Sequence, residues 1–89
     1  GTLSESSQFK VDYLAAFDVF EVGIKTTNIF QAKENAISWF REQGFNEEDI
    51  CNLPVTFYLV SKVAQEYEGS GLIFNPLPDF CEEKGSFTL

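Results

Sequence analysis

Residues 9–27 read FKVDYLAAFDVFEVGIKTT, and the period of their apolar positions decides the fold class. In the second half, Phe17, Val19 and Glu21 fall on one side of an alternating pattern; Asp18, Phe20, Val22 and Ile24 fall on the other. Alternation carried by β-branched and aromatic residues predicts a strand. The first half, around residues 13–16, either continues the strand or forms a short helical turn. No turn signal lies between Phe9 and Gly23, so a tight hairpin is not expected there. Read as strand, the segment implies a small α+β domain, with two or three helices packed on one face of a small antiparallel sheet. Read as helix from Phe9 to Phe20, it implies a small all-α bundle instead. The strand reading is adopted, with an expected core of Phe17, Val19, Ile29, Ala36, Ile37, Phe40, Leu59, Val63 and Ile73.

Upstream, GTLSESSQ is small and polar, and residues 1–8 are expected to be frayed. The start at Gly1 rather than Met reads as a cleavage scar. Downstream lies the most legible helix. Asn28 is placed to cap it, with Gln31 three positions on completing a capping box. Ile29, Phe30, Ala32, Ala36, Ile37, Trp39 and Phe40 share one arc of about 180° at helical spacing. Lys33 falls inside that arc, and its long stem is expected to snorkel outward. Gly44 suits the left-handed residue beyond a helix end, and a Schellman cap would bring Phe45 onto Phe40.

Asn46 opens a second helix, with Glu47, Glu48 and Asp49 at the positive end of its dipole. The segment PVTFYLVSKVAQEYEG, residues 54–69, is two-sided. VTFYLV has strand composition, yet Val55, Leu59, Val60, Val63 and Tyr67 make a helical stripe that ends at Gly69. Its length favours one helix, with Pro54 in the first turn. Beyond it, LIF and SFTL are each long enough for a short strand.

The chain has 89 residues, enough for a single core, and it is treated as one domain spanning residues 1–89. Ten Phe and 44% apolar residues exclude a solvated, disordered chain. Fourteen acids against six bases leave a net charge of -8, and residues 46–89 hold eight of those acids and two of the bases. Such a field repels nucleic acid and anionic membranes, and it favours a basic protein partner or simple solubility. No run approaches the length of a membrane span, and no basic start precedes an apolar stretch. Cys51 and Cys81 are read as two reduced thiols, at least one of them buried, in a cytoplasmic protein, with a single bridge between them as the alternative. With two Cys and no His, a structural zinc site is excluded.

Catalytic chemistry finds little support. Without His, the usual base of Ser and Cys nucleophile systems is missing. Cys51 follows Glu47, Glu48 and Asp49, and Cys81 precedes Glu82 and Glu83, so neither is set up as a thiolate. Gly69-Ser70-Gly71 lacks the Lys of a phosphate loop, and no calcium-loop pattern is present. The chain is expected not to be an enzyme and to need no cofactor; a small enzyme with a carboxylate site is a remote alternative.

The segment GSGLIFNP, residues 69–76, resembles the GSDLIYYP turn of the immunity proteins of nuclease colicins. In that family the acid and the two tyrosines of the turn carry much of the toxin contact. Gly71, Phe74 and Asn75 stand at the matching positions here, and no family membership is read from eight residues. The leading expectation is a small acidic binding domain, inhibitor-like, that neutralises a basic protein partner. Glu66, Glu68, Asp79, Glu82 and Glu83 are the expected contacts, with Phe74 or Phe80 as apolar anchor. The alternative is a self-associating domain or a fragment of a larger protein; monomer and homodimer both remain open.

Overall fold

The computed structural model describes residues 1–52, 55–70 and 74–81. Within them lie strands β1 (Thr2–Glu5), β2 (Phe9–Leu14), β3 (Val19–Ile24) and β4 (Val55–Leu59), and helices α1 (Ile29–Glu42), α2 (Glu47–Asn52) and α3 (Ser61–Glu68). The fold is α+β. Its four-stranded sheet runs in the order β1-β2-β3-β4. The first three strands are antiparallel, but β3 and β4 are parallel, so the sheet is mixed rather than wholly antiparallel. A parallel neighbour requires a crossover, and α1 and α2 supply it between β3 and β4. No helix among the described residues is long and apolar enough to cross a membrane.

The deciding stretch is strand throughout, folded into the hairpin that its composition did not advertise. Leu14 pairs with Val19 across a loop of residues 15–18, where Phe17 N–H donates to Leu14 O at 3.1 Å and Asp18 N–H donates to Ala15 O at 3.3 Å. Asp18 closes the loop at φ 54°, a left-handed conformation that Asp tolerates better than most residues. Its carboxylate also accepts the Tyr13 hydroxyl at 2.6 Å. Residues 1–8 are not frayed at their start: Thr2, Ser4 and Glu5 pair with Asp12, Val11 and Lys10 across a bulge.

The register sets the core. Phe9, Val11 and Tyr13 stand opposite Ile24, Val22 and Phe20, which in turn pair with Leu59, Phe57 and Val55. This face meets Ala32, Ala36, Ile37 and Phe40 of α1 and Ile50 of α2. Of the expected core, Ala36, Ile37, Phe40 and Val63 are buried, and Ile29 and Leu59 pack against the cluster. Phe17 and Val19 belong to the other phase of the alternation. Phe17 is 74% exposed in the hairpin loop and Val19 faces away from the helices, because a shift of one residue along a strand exchanges the faces. Ile73 and Pro54, like most of LIF and all of SFTL, lie outside the described residues.

Residues 55–59 correct the expectation of one long helix. Val55, Phe57 and Leu59 point inward at period two, and the helix starts only at Ser61, beyond Val60 in extended conformation. The helical stripe was a coincidence of two periods that share positions 55 and 59. A partner strand, β3, resolves it.

α1 stops as expected. Gly44 has φ 103°, Gly44 N–H donates to Arg41 O, Phe45 N–H donates to Phe40 O, and the Phe40 and Phe45 rings lie 6.0 Å apart. Its start differs. The Asn28 side chain makes no capping bond, and Gln31 donates instead to Asn35. Phe30, at the edge of the apolar arc, is 61% exposed. The reciprocal cap sits on α2, where Asp49 N–H donates to Asn46 Oδ1 at 2.7 Å and Asn46 N–H to Asp49 Oδ2 at 3.1 Å.

Candidate functional site

Lys33 does not snorkel. It is 3% exposed, and its ammonium donates to Asn75 O at 2.8 Å, Leu77 O at 2.7 Å and Asp79 Oδ1 at 2.9 Å. Its Nζ also lies 4.9 Å from the Phe57 ring centre and 5.5 Å from that of Phe74. The charge is buried because the C-terminal arm, residues 74–81, folds across α1 and supplies three acceptors. A buried ammonium needs that satisfaction. The arm also covers part of the free edge of β4, where Phe57 N–H donates to Pro76 O at 2.8 Å.

Cys51 and Cys81 are joined in a disulfide that ties α2 to the end of this arm. This overturns the reading of two reduced thiols. Neither Cys is buried. Thirty positions separate them, and nothing in the local sequence of either announces the other; the crossover and the returning arm bring them together.

Between α1 and the arm runs a shallow groove of about 100 Å³ lined by Lys33, Ile37, Ser38, Arg41, Asp79 and Phe80, among others. Small-molecule sites are commonly about 300–1,000 Å³. The two cations of the groove are already answered, Lys33 by Asp79 and Arg41 by Glu47 at 2.8 Å. Arg41 also stacks over Phe80 at 5.7 Å. Among the described residues, no buried side-chain polar atom lacks a partner and no group of three metal-ligating side chains comes together.

The expected contact residues are dispersed by role. Glu66 and Glu68 are exposed on α3. Asp79 is engaged by Lys33 and by Asn75 Nδ2 at 3.3 Å. Phe74 packs edge-on against Tyr67 at 6.3 Å, and Phe80 lies beneath Arg41, so both aromatics help seat the arm. Glu82 and Glu83 lie outside the described residues.

The opposite face of the sheet carries Lys10, Asp12 and Leu14 of β2, Val19, Glu21 and Gly23 of β3, and Thr56 and Tyr58 of β4. None of these residues belongs to the helix-covered core. Asp12 stands opposite Glu21. The Tyr58 ring lies on Gly23, where an added Cβ would come within 2.7 Å of it. Sequence reading missed this face, since its composition depends on which phase of each strand points to α1. The alternation alone was a usable signal, but it left the two phases equivalent.

Compared with protein-family models, curated proteins and solved structures, the chain matches none of them.

Proposed function

We propose that the protein is a non-enzymatic binding domain whose negative surface engages a basic protein partner. One observation carries this reading: internal pairing consumes the cations and leaves the carboxylates. Lys10 lies 3.9 Å from Asp12, Lys25 lies 2.8 Å from Glu5, Lys33 pairs with Asp79 and Arg41 with Glu47. Among the described residues this leaves Lys62 against Asp18, Glu21, Glu34, Glu42, Glu48, Asp49, Glu66 and Glu68, none of which has an ion pair. Most of the carboxylates among the described residues are therefore not neutralised within the fold, in a chain of net charge -8. Such a field raises the association rate of a cationic partner and disfavours anionic ones.

An inhibitor or neutraliser of a basic protein fits this surface. A cytoplasmic location was tied to reduced thiols; the Cys51–Cys81 bridge instead favours an oxidising compartment. The test is capture of partners on the immobilised oxidised protein, eluted with rising salt and identified by mass spectrometry. A single basic protein released by salt, and lost on combined neutralisation of the unpaired glutamates, is the expected result. Retention that ignores both salt and neutralisation would sink the reading. Self-association is favoured by one feature, the β1 edge, which among the described residues pairs only with β2 and leaves Leu3 51% exposed; sedimentation at low and high salt separates the two.

A further inference from the structure

The sheet face opposite α1 carries two carboxylates side by side. Asp12 and Glu21 are directly opposed across the antiparallel β2–β3 ladder, and both are half-buried. Asp12 accepts the Thr2 hydroxyl at 2.8 Å and has Lys10 at 3.9 Å. Glu21 has no ion pair among the described residues, and its neighbour on the far side is Thr56. Like charges opposed in this way destabilise a sheet, whereas Thr or Gln at position 21 would fit the pleat without that cost. Lys10 and Thr56 flank the pair on this face, and toward the hairpin loop the surface turns apolar. Leu14 and Val19 face each other, Phe17 is 74% exposed at the adjoining hairpin loop, and Tyr58 is 39% exposed with its ring lying on Gly23.

We propose that this open sheet face is the docking surface for the basic partner, with an arginine or lysine of that partner seated over Asp12 and Glu21. Apolar neighbours of that cation then pack on Leu14, Val19 and Phe17. The proposal rests on the acidic-binding reading above and narrows it to one face and to Asp12 and Glu21. Charge complementarity selects the occupant: a cation between two opposed carboxylates relieves their repulsion, and the flanking apolar side chains exclude water around it. A second copy is disfavoured, because it would bring another chain of net charge -8 onto the same surface.

The test uses the full oxidised chain, labelled with nitrogen-15 and titrated at low salt with a peptide of alternating Arg and Leu. Amide shifts are expected to concentrate at residues 12, 14, 17, 19, 21 and 58. Glu21→Gln should weaken binding by about tenfold and flatten its salt dependence. The same variant should melt at or above the parent temperature, since the like-charge pair is gone, which separates lost binding from lost folding. Joint substitution Glu66→Gln and Glu68→Gln should leave the affinity within about twofold. Shifts centred on α2 or α3, with affinity lost in the α3 variant instead, would overturn this surface and keep the acidic-binding reading. No low-salt binding of the peptide or of a folded basic protein would overturn both. A salt-insensitive dimer whose shifts map to the open face would assign it to a second copy and equally overturn the proposal.

Discussion

The Lys33 ammonium on α1 lies 2.9 Å from the Asp79 carboxylate, 46 positions away, and is held there with only 3% of the residue exposed. This pair and the two carbonyls beside it clamp the C-terminal arm to the body of the domain. The two partners are not equivalent. Lys33 is buried, whereas the Asp79 side chain is 43% exposed and can be rehydrated when its partner is gone.

Lys33→Met should therefore destabilise the fold by about 3 kcal/mol, since it removes three charge-assisted bonds that anchor the arm. Asp79→Asn should cost about 1–2 kcal/mol, because the ammonium keeps both carbonyls and a neutral acceptor. Urea melts of the two variants check the order; equal losses would mean that the carboxylate alone holds the arm.

Reduction of Cys51–Cys81 should lower stability by about 3–4 kcal/mol, the loop entropy expected for a sequence separation of 30. The loss should be local before it is global. The Phe57 amide, which donates to Pro76 O, should gain hydrogen exchange on reduction ahead of the Val11 and Val22 amides in the central strands. Uniform acceleration across the sheet would contradict a tether that acts through the arm.

Gly23→Ala should cost about 1 kcal/mol in the parent, because the new methyl displaces the Tyr58 ring now lying within 2.7 Å of that position. In a Tyr58→Ala background the same substitution should be neutral or stabilising, since Ala suits a strand better than Gly once the space is empty. A double-mutant cycle measured by thermal melts reads the coupling; additive effects would mean that the ring does not depend on the missing side chain.

Two surface contacts give opposite pH signatures. Glu5 is held below its ordinary value of 4.5 by the hydrogen bond and charge of Lys25, so its contribution is present above that value and fades as pH falls through the lowered one. Tyr13 is raised above 10.0, chiefly by its hydrogen bond to the Asp18 carboxylate, so its contribution is present below 10.0 and fades as pH rises through the raised value. NMR titration should show Glu5 returning toward 4.5 in Lys25→Gln and Tyr13 returning toward 10.0 in Asp18→Asn. Asn tolerates the left-handed conformation at position 18, so the hairpin should survive that change.

The amino-acid sequence by itself determined the elements whose causes are local. The Gly44–Phe45 stop of α1, the Asn46–Asp49 cap of α2, and the alternation that separates Phe20, Val22 and Ile24 from Val19 and Glu21 all depend on residues a few positions apart. The overall charge is likewise a sum over the chain. Tertiary structure decided what depends on distant partners. Residues 55–59 carry two compatible periods, and they become strand because β3 offers a parallel edge. The phase of β3 that enters the core is chosen by α1, which left Phe17 in solvent and put Asp12 beside Glu21 on the open face. Lys33 could be buried only because an arm more than 40 positions later returns with acceptors, and the same return joined Cys51 to Cys81. Local propensity is read along the chain, whereas the burial of a charge and the pairing of two thiols depend on where the chain comes back to.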